Sequence, residues 1–224
     1  MRLLAADTSA KAASVALFED GRLIYESFLN NGLTHSEKFM PMISEALDVS
    51  GIKPSEIDVF ACTSGPGSFT GIRIGVETIK ALAHANHAKC IGVSTIEALA
   101  ANSAKRTIAP IMDARRNQVY CGIFHDGKRI LEDCAIGIDE LFDKLDAFDK
   151  VCFVGDGVPV YRKEIEARMD KRAVFVPEQF MFARASSVGI VALKAVKTGD
   201  TVEYFELNPV YLRKSQAERE YDKR

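Results

Sequence analysis

Short apolar runs separated by polar turns open the chain: Leu3 to Ala6, then Ala13-Ser14-Val15-Ala16-Leu17-Phe18, then Arg22-Leu23-Ile24-Tyr25-Glu26. Runs of this length bounded by turn residues predict strands, and Asp20-Gly21 between the second and third predicts a tight hairpin. The period then changes. Phe39, Met40, Ile43, Ala46 and Leu47 recur at helical spacing and predict a helix over about 35–49, opened by the capping box of Thr34 and Glu37. Pro41 removes one backbone hydrogen bond from this helix and predicts a kink. A strand at 58–63 and a second helix over about 70–86, carrying Ile72, Val76, Ile79 and Leu82, follow.

The same pattern recurs in the second half. Ala109 to Asp113, Val119 to Phe124 and Lys128-Arg129-Ile130 form another three-stranded meander. Asp7, Phe18, Asp20 and Gly21 match Asp113, Phe124, Asp126 and Gly127 at one constant offset with no gap. A helix over about 138–146, the strand Val151 to Val154 with Gly155-Asp156-Gly157, and a helix over about 159–169 complete the copy. The order β-β-β-α-β-α used twice predicts an α/β protein of two duplicated lobes flanking a cleft, the actin/Hsp70/sugar-kinase (ASKHA) architecture. The lobes divide at 1–106 and 107–224, with the last helix expected to pack back on the first lobe.

Composition narrows the function classes. The 224 residues are 47% hydrophobic and 27% charged, as in a soluble globular protein with a sizeable core. No apolar run approaches the roughly 18 residues a membrane span needs, and Asp7 interrupts the N-terminal apolar stretch. A cytoplasmic protein without membrane association is expected. The five cysteines form no Cys-x-x-Cys pair, so reduced, buried thiols are expected rather than a zinc or redox motif. A net charge of −2 gives the chain little pull on nucleic-acid phosphates. The segment Arg213 to Arg224 mixes both signs and reads as a solvated or frayed helix rather than a nucleic-acid arm.

The candidate chemistry centres on Thr63-Ser64-Gly65-Pro66-Gly67-Ser68-Phe69-Thr70-Gly71-Ile72-Arg73, a glycine loop between a strand and a helix. Such a joint can hold an anion on a helix N-terminus, or can use its glycines only for close packing. Asp7, Thr8, Ser9, Gly65, Gly67 and Ser68 are the candidate nucleotide or anion set. Asp7 either holds a hydrated magnesium ion or caps its own hairpin. The loop lacks the Gly-x-x-x-x-Gly-Lys-Ser/Thr pattern of a P-loop. Gly71 and Gly75 stand one turn apart and would let another helix approach closely.

Together with Asp7-Thr8-Ser9, Thr34-His35-Ser36-Glu37 and Asn208-Pro209-Val210-Tyr211-Leu212-Arg213, this loop makes the chain resemble the TsaB (YeaZ) family over nearly its whole length. The resemblance implies the ASKHA fold and a non-catalytic subunit of the bacterial tRNA threonylcarbamoyl-adenosine machinery. The catalytic relatives, the TsaD proteins, carry a metal-binding His-x-x-x-His pair where this chain has Thr95 and Leu99, within a helix opened by Ser94 and Glu97 as a capping box. His35, His84, His87 and His125 do not rebuild that pair, so neither a metal site nor a catalytic residue is assigned. The resemblance implies docking to a TsaD-like subunit through the first two helices, with His35, Phe39, Met40, Ile43, Phe69, Ile72, Arg73 and Val76 at the interface. It also implies recruitment of a TsaE-like ATPase and a homodimer when alone. No cofactor is required, with ATP and magnesium candidates at a complex interface, and the low net charge predicts contact with tRNA only through partners. A small ATP-dependent phosphotransferase of the sugar-kinase class and a peptidase are the alternatives.

Overall fold

The computed structural model describes residues 1–213; the rest of the charged C-terminal segment lies outside the described residues. Two five-stranded mixed sheets organise the chain. The first holds β1 (Arg2–Asp7), β2 (Ala13–Glu19), β3 (Arg22–Leu29), β4 (Val59–Gly65) and β5 (Lys89–Ser94), in the order β3-β2-β1-β4-β5. The second holds β6 (Thr107–Arg115), β7 (Gln118–His125), β8 (Lys128–Gly137), β9 (Val151–Val154) and β10 (Ala173–Phe175), in the order β10-β9-β6-β7-β8. Reversed, the second order is the first with each strand replaced by its duplicate. Antiparallel pairing of the meander and parallel pairing of the later strands also repeat. Both Asp-Gly hairpins have two consecutive residues at positive φ, as the tightest hairpin turn requires.

Alternation along β1 shows why Leu3 to Ala6 are all apolar. Leu4 and Ala6 join a core formed with α1 (His35–Ser50) and α2 (Phe69–Asn86), whereas Leu3 and Ala5 join a second core on the other face. That second core is continuous from the first sheet through α3 (Thr95–Ala100) into β6, β7 and β9. Strands covered on both faces read as unbroken hydrophobic runs.

The helices of the second half are α4 (Ile138–Leu145), α5 (Val158–Met169) and α6 (Ala185–Thr198). α6 crosses back to pack on β1, β2, β4 and β5. Gly189 makes this crossing close, because a Cβ there would overlap the Phe18 ring. Glu26 of β3 receives the Ser186 backbone N–H at 3.0 Å and the Arg184 guanidinium at 2.8 Å, so the first lobe supplies the cap of α6. The segment after α6 stays on the first lobe as far as Tyr211: Val202 pairs with Cys90 in a β-bridge, and Leu207 is buried in the helix-side core. The second sheet begins at Thr107, but α6 and the segment from Val202 to Leu207 pack in space on the first. α1 runs unbroken through Pro41, whose ring lies on the exposed side.

Candidate functional site

Ser68 caps α2, its Oγ accepting the Gly71 N–H at 3.2 Å. Its own N–H donates to the Ser9 carbonyl at 2.8 Å, which ties the glycine loop to the turn after β1. Gly65 and Gly67 have φ of +132° and +155°, and each faces a backbone carbonyl. A Cβ at Gly67 would overlap Ser9 O, and one at Gly65 would overlap Val210 O. Gly65 and Gly67 therefore serve close packing of the loop on the chain's own backbone, the second of the two uses open to such a joint. Gly71 and Gly75 are used in the same way. Thr8 donates its hydroxyl to Gly71 O at 2.8 Å, and Cβ atoms at the two glycines would strike Thr8 O and Thr8 Oγ1. The close approach they permit is of the chain's own turn, not of a partner helix.

Asp7 is 1% exposed. Its Oδ1 accepts the Ser9 N–H at 3.2 Å, the Ser9 hydroxyl at 2.6 Å and the Thr63 hydroxyl at 2.7 Å; its Oδ2 has no partner. This is the hairpin-capping arrangement, and burial raises the carboxyl above its ordinary range despite those donors. Its duplicate Asp113 is exposed and accepts the Arg115 N–H at 2.7 Å. Asp156, in the matching loop of the second lobe, is pushed up to about 6, first by burial and then by Asp113 and Asp7, while the Asp113 N–H and Lys11 act against the rise. Among the described residues no cluster of three or more histidine, cysteine or acidic side chains is arranged to hold a metal ion.

A raised carboxyl favours the folded state below its unfolded value near 4 and loses that advantage as pH climbs through about 6. Asp156→Asn is expected to raise stability at pH 7.5 by on the order of 1–2 kcal/mol and to change little near pH 4. Urea denaturation at the two pH values checks this.

The eight expected interface residues separate into two groups. Phe39, Ile43, Ile72 and Val76 are buried in the core between α1, α2 and the first sheet, and that core by itself accounts for their helical periodicity. Met40 is 48% exposed, Arg73 is exposed, and His35 and Phe69 are half-buried. His35 bonds through Nε2 to Ala10 O at 2.7 Å, leaves Nδ1 without a partner, and is held below its ordinary value by burial.

Two arrangements were not legible as such. The segment Asn208 to Arg213 forms a strap over the glycine loop: the Val210 N–H donates to Ser64 O at 2.7 Å, and the Tyr211 ring stacks on Phe69 with centroids 4.7 Å apart. Arg73 Nε donates to the Tyr211 hydroxyl at 2.7 Å, and Arg213 reaches Ala114 O of the second lobe. The motif was visible, but its docking on a loop more than 130 positions away leaves no local pattern. The second arrangement joins the lobes. Glu97 does not complete a capping box with Ser94; its carboxylate pairs with Arg129 of β8 at 2.8 Å, while Ser94 and Arg129 both bond Asp133. Thr95 and Leu99, at the metal-ligand positions of the catalytic relatives, are 0% and 1% exposed.

Fold and site define a two-lobed α/β protein of the sugar-kinase type whose glycine loop is occupied by its own C-terminal strap. Comparison with known proteins agrees. The profile described as TsaD, tRNA N6-adenosine threonylcarbamoyltransferase, matches residues 32–221. The tRNA threonylcarbamoyladenosine biosynthesis protein TsaB of Bacillus subtilis is 29% identical, over 99% of this chain and 98% of its own. That of Escherichia coli is 40% identical over 54% of this chain and 53% of its own. The solved YeaZ from Pseudomonas aeruginosa superposes with a TM-score of 0.81 at 29% identity, covering 94% of this chain and 99% of its own. The inorganic polyphosphate/ATP-glucomannokinase from Arthrobacter, at a TM-score of 0.52 and 10% identity over 88% of this chain and 99% of its own, shares the fold alone. The chain belongs to the TsaB (YeaZ) family, within the wider family that the TsaD profile describes.

Proposed function

We propose that this chain is a non-catalytic partner subunit in tRNA threonylcarbamoyladenosine biosynthesis, docking a TsaD-like transferase through the outer faces of α1 and α2. The observation that carries the reading is the burial of Thr95 and Leu99: the helix face that would present metal ligands is part of the core between the lobes. The glycine loop fits it, since Gly65 and Gly67 are each used for close packing against the chain's own backbone, at Val210 O and Ser9 O. ATP and magnesium, where the complex needs them, are then held between subunits. A TsaE-like ATPase joins the same assembly, tRNA is reached through the partners, and the chain alone pairs with a second copy through the same helices.

Docking can favour an active transferase only through contacts that differ between the transferase's states. Met40 and the Arg73–Tyr211 pair are the exposed groups on these helices best suited to that task, one apolar and one polar with a guanidinium available to a carboxylate. Co-purification with the TsaD of the same organism is expected to give a one-to-one complex with the parent chain and at least a tenfold weaker one with Met40→Glu plus Arg73→Glu. Both positions are exposed and the only described side-chain bond lost is that of Arg73 to Tyr211, so the variant is expected to stay folded, which its thermal melt checks. Undiminished complex formation by a folded variant would move the interface elsewhere.

A further inference from the structure

Cys121 and Cys134 face each other on neighbouring strands. The antiparallel register of β7 and β8 pairs them directly, and their Sγ atoms lie 3.7 Å apart. Residues directly opposed in an antiparallel pair have Cα atoms about 4.5–5.5 Å apart, within the span a disulfide accepts. Cys62 and Cys90 have no such opposition, being paired in register with Gly92 and Phe60, and Cys152 accepts a hydrogen bond from the Ser103 hydroxyl. Cys121 is buried, whereas Cys134 is partly exposed and so gives an oxidant a point of entry.

We propose that Cys121 and Cys134 form a reversible, peroxide-driven disulfide that joins β7 to β8. The Cys134 thiol gives its proton to solvent and the thiolate attacks one oxygen of the peroxide; the O–O bond breaks, hydroxide leaves and takes up that proton as water, and Cys134 becomes a sulfenic acid. The Cys121 sulfur then attacks the sulfenic sulfur, the S–S bond forms, and a second water leaves with the thiol proton. Two thiols lose two electrons and two protons, and one peroxide becomes two waters. Burial pushes both thiols up, so the link forms faster in mildly alkaline than in neutral solution. Its position adds consequence. Asp133, next to Cys134, bonds both Ser94 and Arg129, so the link fixes the strand that carries the inter-lobe cluster.

The purified full-length chain is treated with hydrogen peroxide in mildly alkaline buffer, denatured, alkylated, digested with trypsin and read by mass spectrometry. The expected product is peptide 117–128 joined to peptide 130–144, lighter by two hydrogens than the reduced pair. Two of the five thiols disappear from the count and return with dithiothreitol. Cys121→Ser is expected to leave Cys134 as a sulfenic or sulfinic acid, and Cys134→Ser to retain its remaining four thiols. Five free thiols after treatment of the parent, overoxidised Cys134 beside free Cys121, or a link through any other pair or between two chains would overturn the proposal.

Discussion

A chain carrying Thr95→His with Leu99→His is expected to be less stable than the parent by about 4 kcal/mol or more, and to take up no zinc. The two positions lie one turn apart, so imidazoles there share a helical face, as a metal pair requires. In this chain that face is not open. Leu99 belongs to the continuous core between the sheets, and Thr95 is fully buried with its hydroxyl unpartnered. Two imidazoles would overpack the site and bury polar nitrogens without donors or acceptors to meet them. For a chain of this length the loss corresponds to a melting temperature lower by about 10 °C. Calorimetry and metal analysis of the purified variant read both quantities. One zinc per chain at undiminished stability would show that the α3 face is accessible and that the non-catalytic reading is wrong.

Gly65→Ala should cost about 2–4 kcal/mol, much more than Gly199→Ala, although both glycines have positive φ. Gly199 ends α6 with nothing near its missing Cβ, so alanine there meets only the backbone penalty of about 1 kcal/mol. At Gly65 a Cβ would also run into the Val210 carbonyl. Backbone cannot rotate aside as a side chain can, so the strap must lift, and Val210 N–H then loses Ser64 O while Tyr211 leaves Phe69. Hydrogen exchange should show Val210 and its neighbours losing protection in Gly65→Ala and not in Gly199→Ala. Equal costs for the two variants would mean that the strap does not rest on this glycine.

Much of the fold was legible because its signals are local. The Asp20-Gly21 and Asp126-Gly127 turns, the Thr34–Glu37 box and the constant offset between the halves each depend on a few adjacent residues or on simple spacing, and the structure contains all of them. What failed was the assignment of faces. Ile72 and Val76 recur at helical spacing whether the stripe meets a sheet or a partner, and here the sheet of the same chain takes them. Gly71 and Gly75 mark a close approach without saying what approaches, which is Thr8. Glu97 stands three residues after Ser94, as a capping box requires, yet Arg129 from the other lobe outcompetes the local backbone for its carboxylate. A charged partner brought in by tertiary structure leaves no trace at that spacing.

Reconstitution of threonylcarbamoyl transfer to tRNA tests the central claim most directly, using the organism's threonylcarbamoyl-adenylate synthase, TsaD and TsaE with and without this chain. No modified adenosine is expected from this chain with the synthase alone. TsaD with TsaE should gain at least tenfold on adding the parent chain, and far less on adding Met40→Glu plus Arg73→Glu. Full activity of TsaD without this chain, or transfer by this chain without TsaD, would contradict the account.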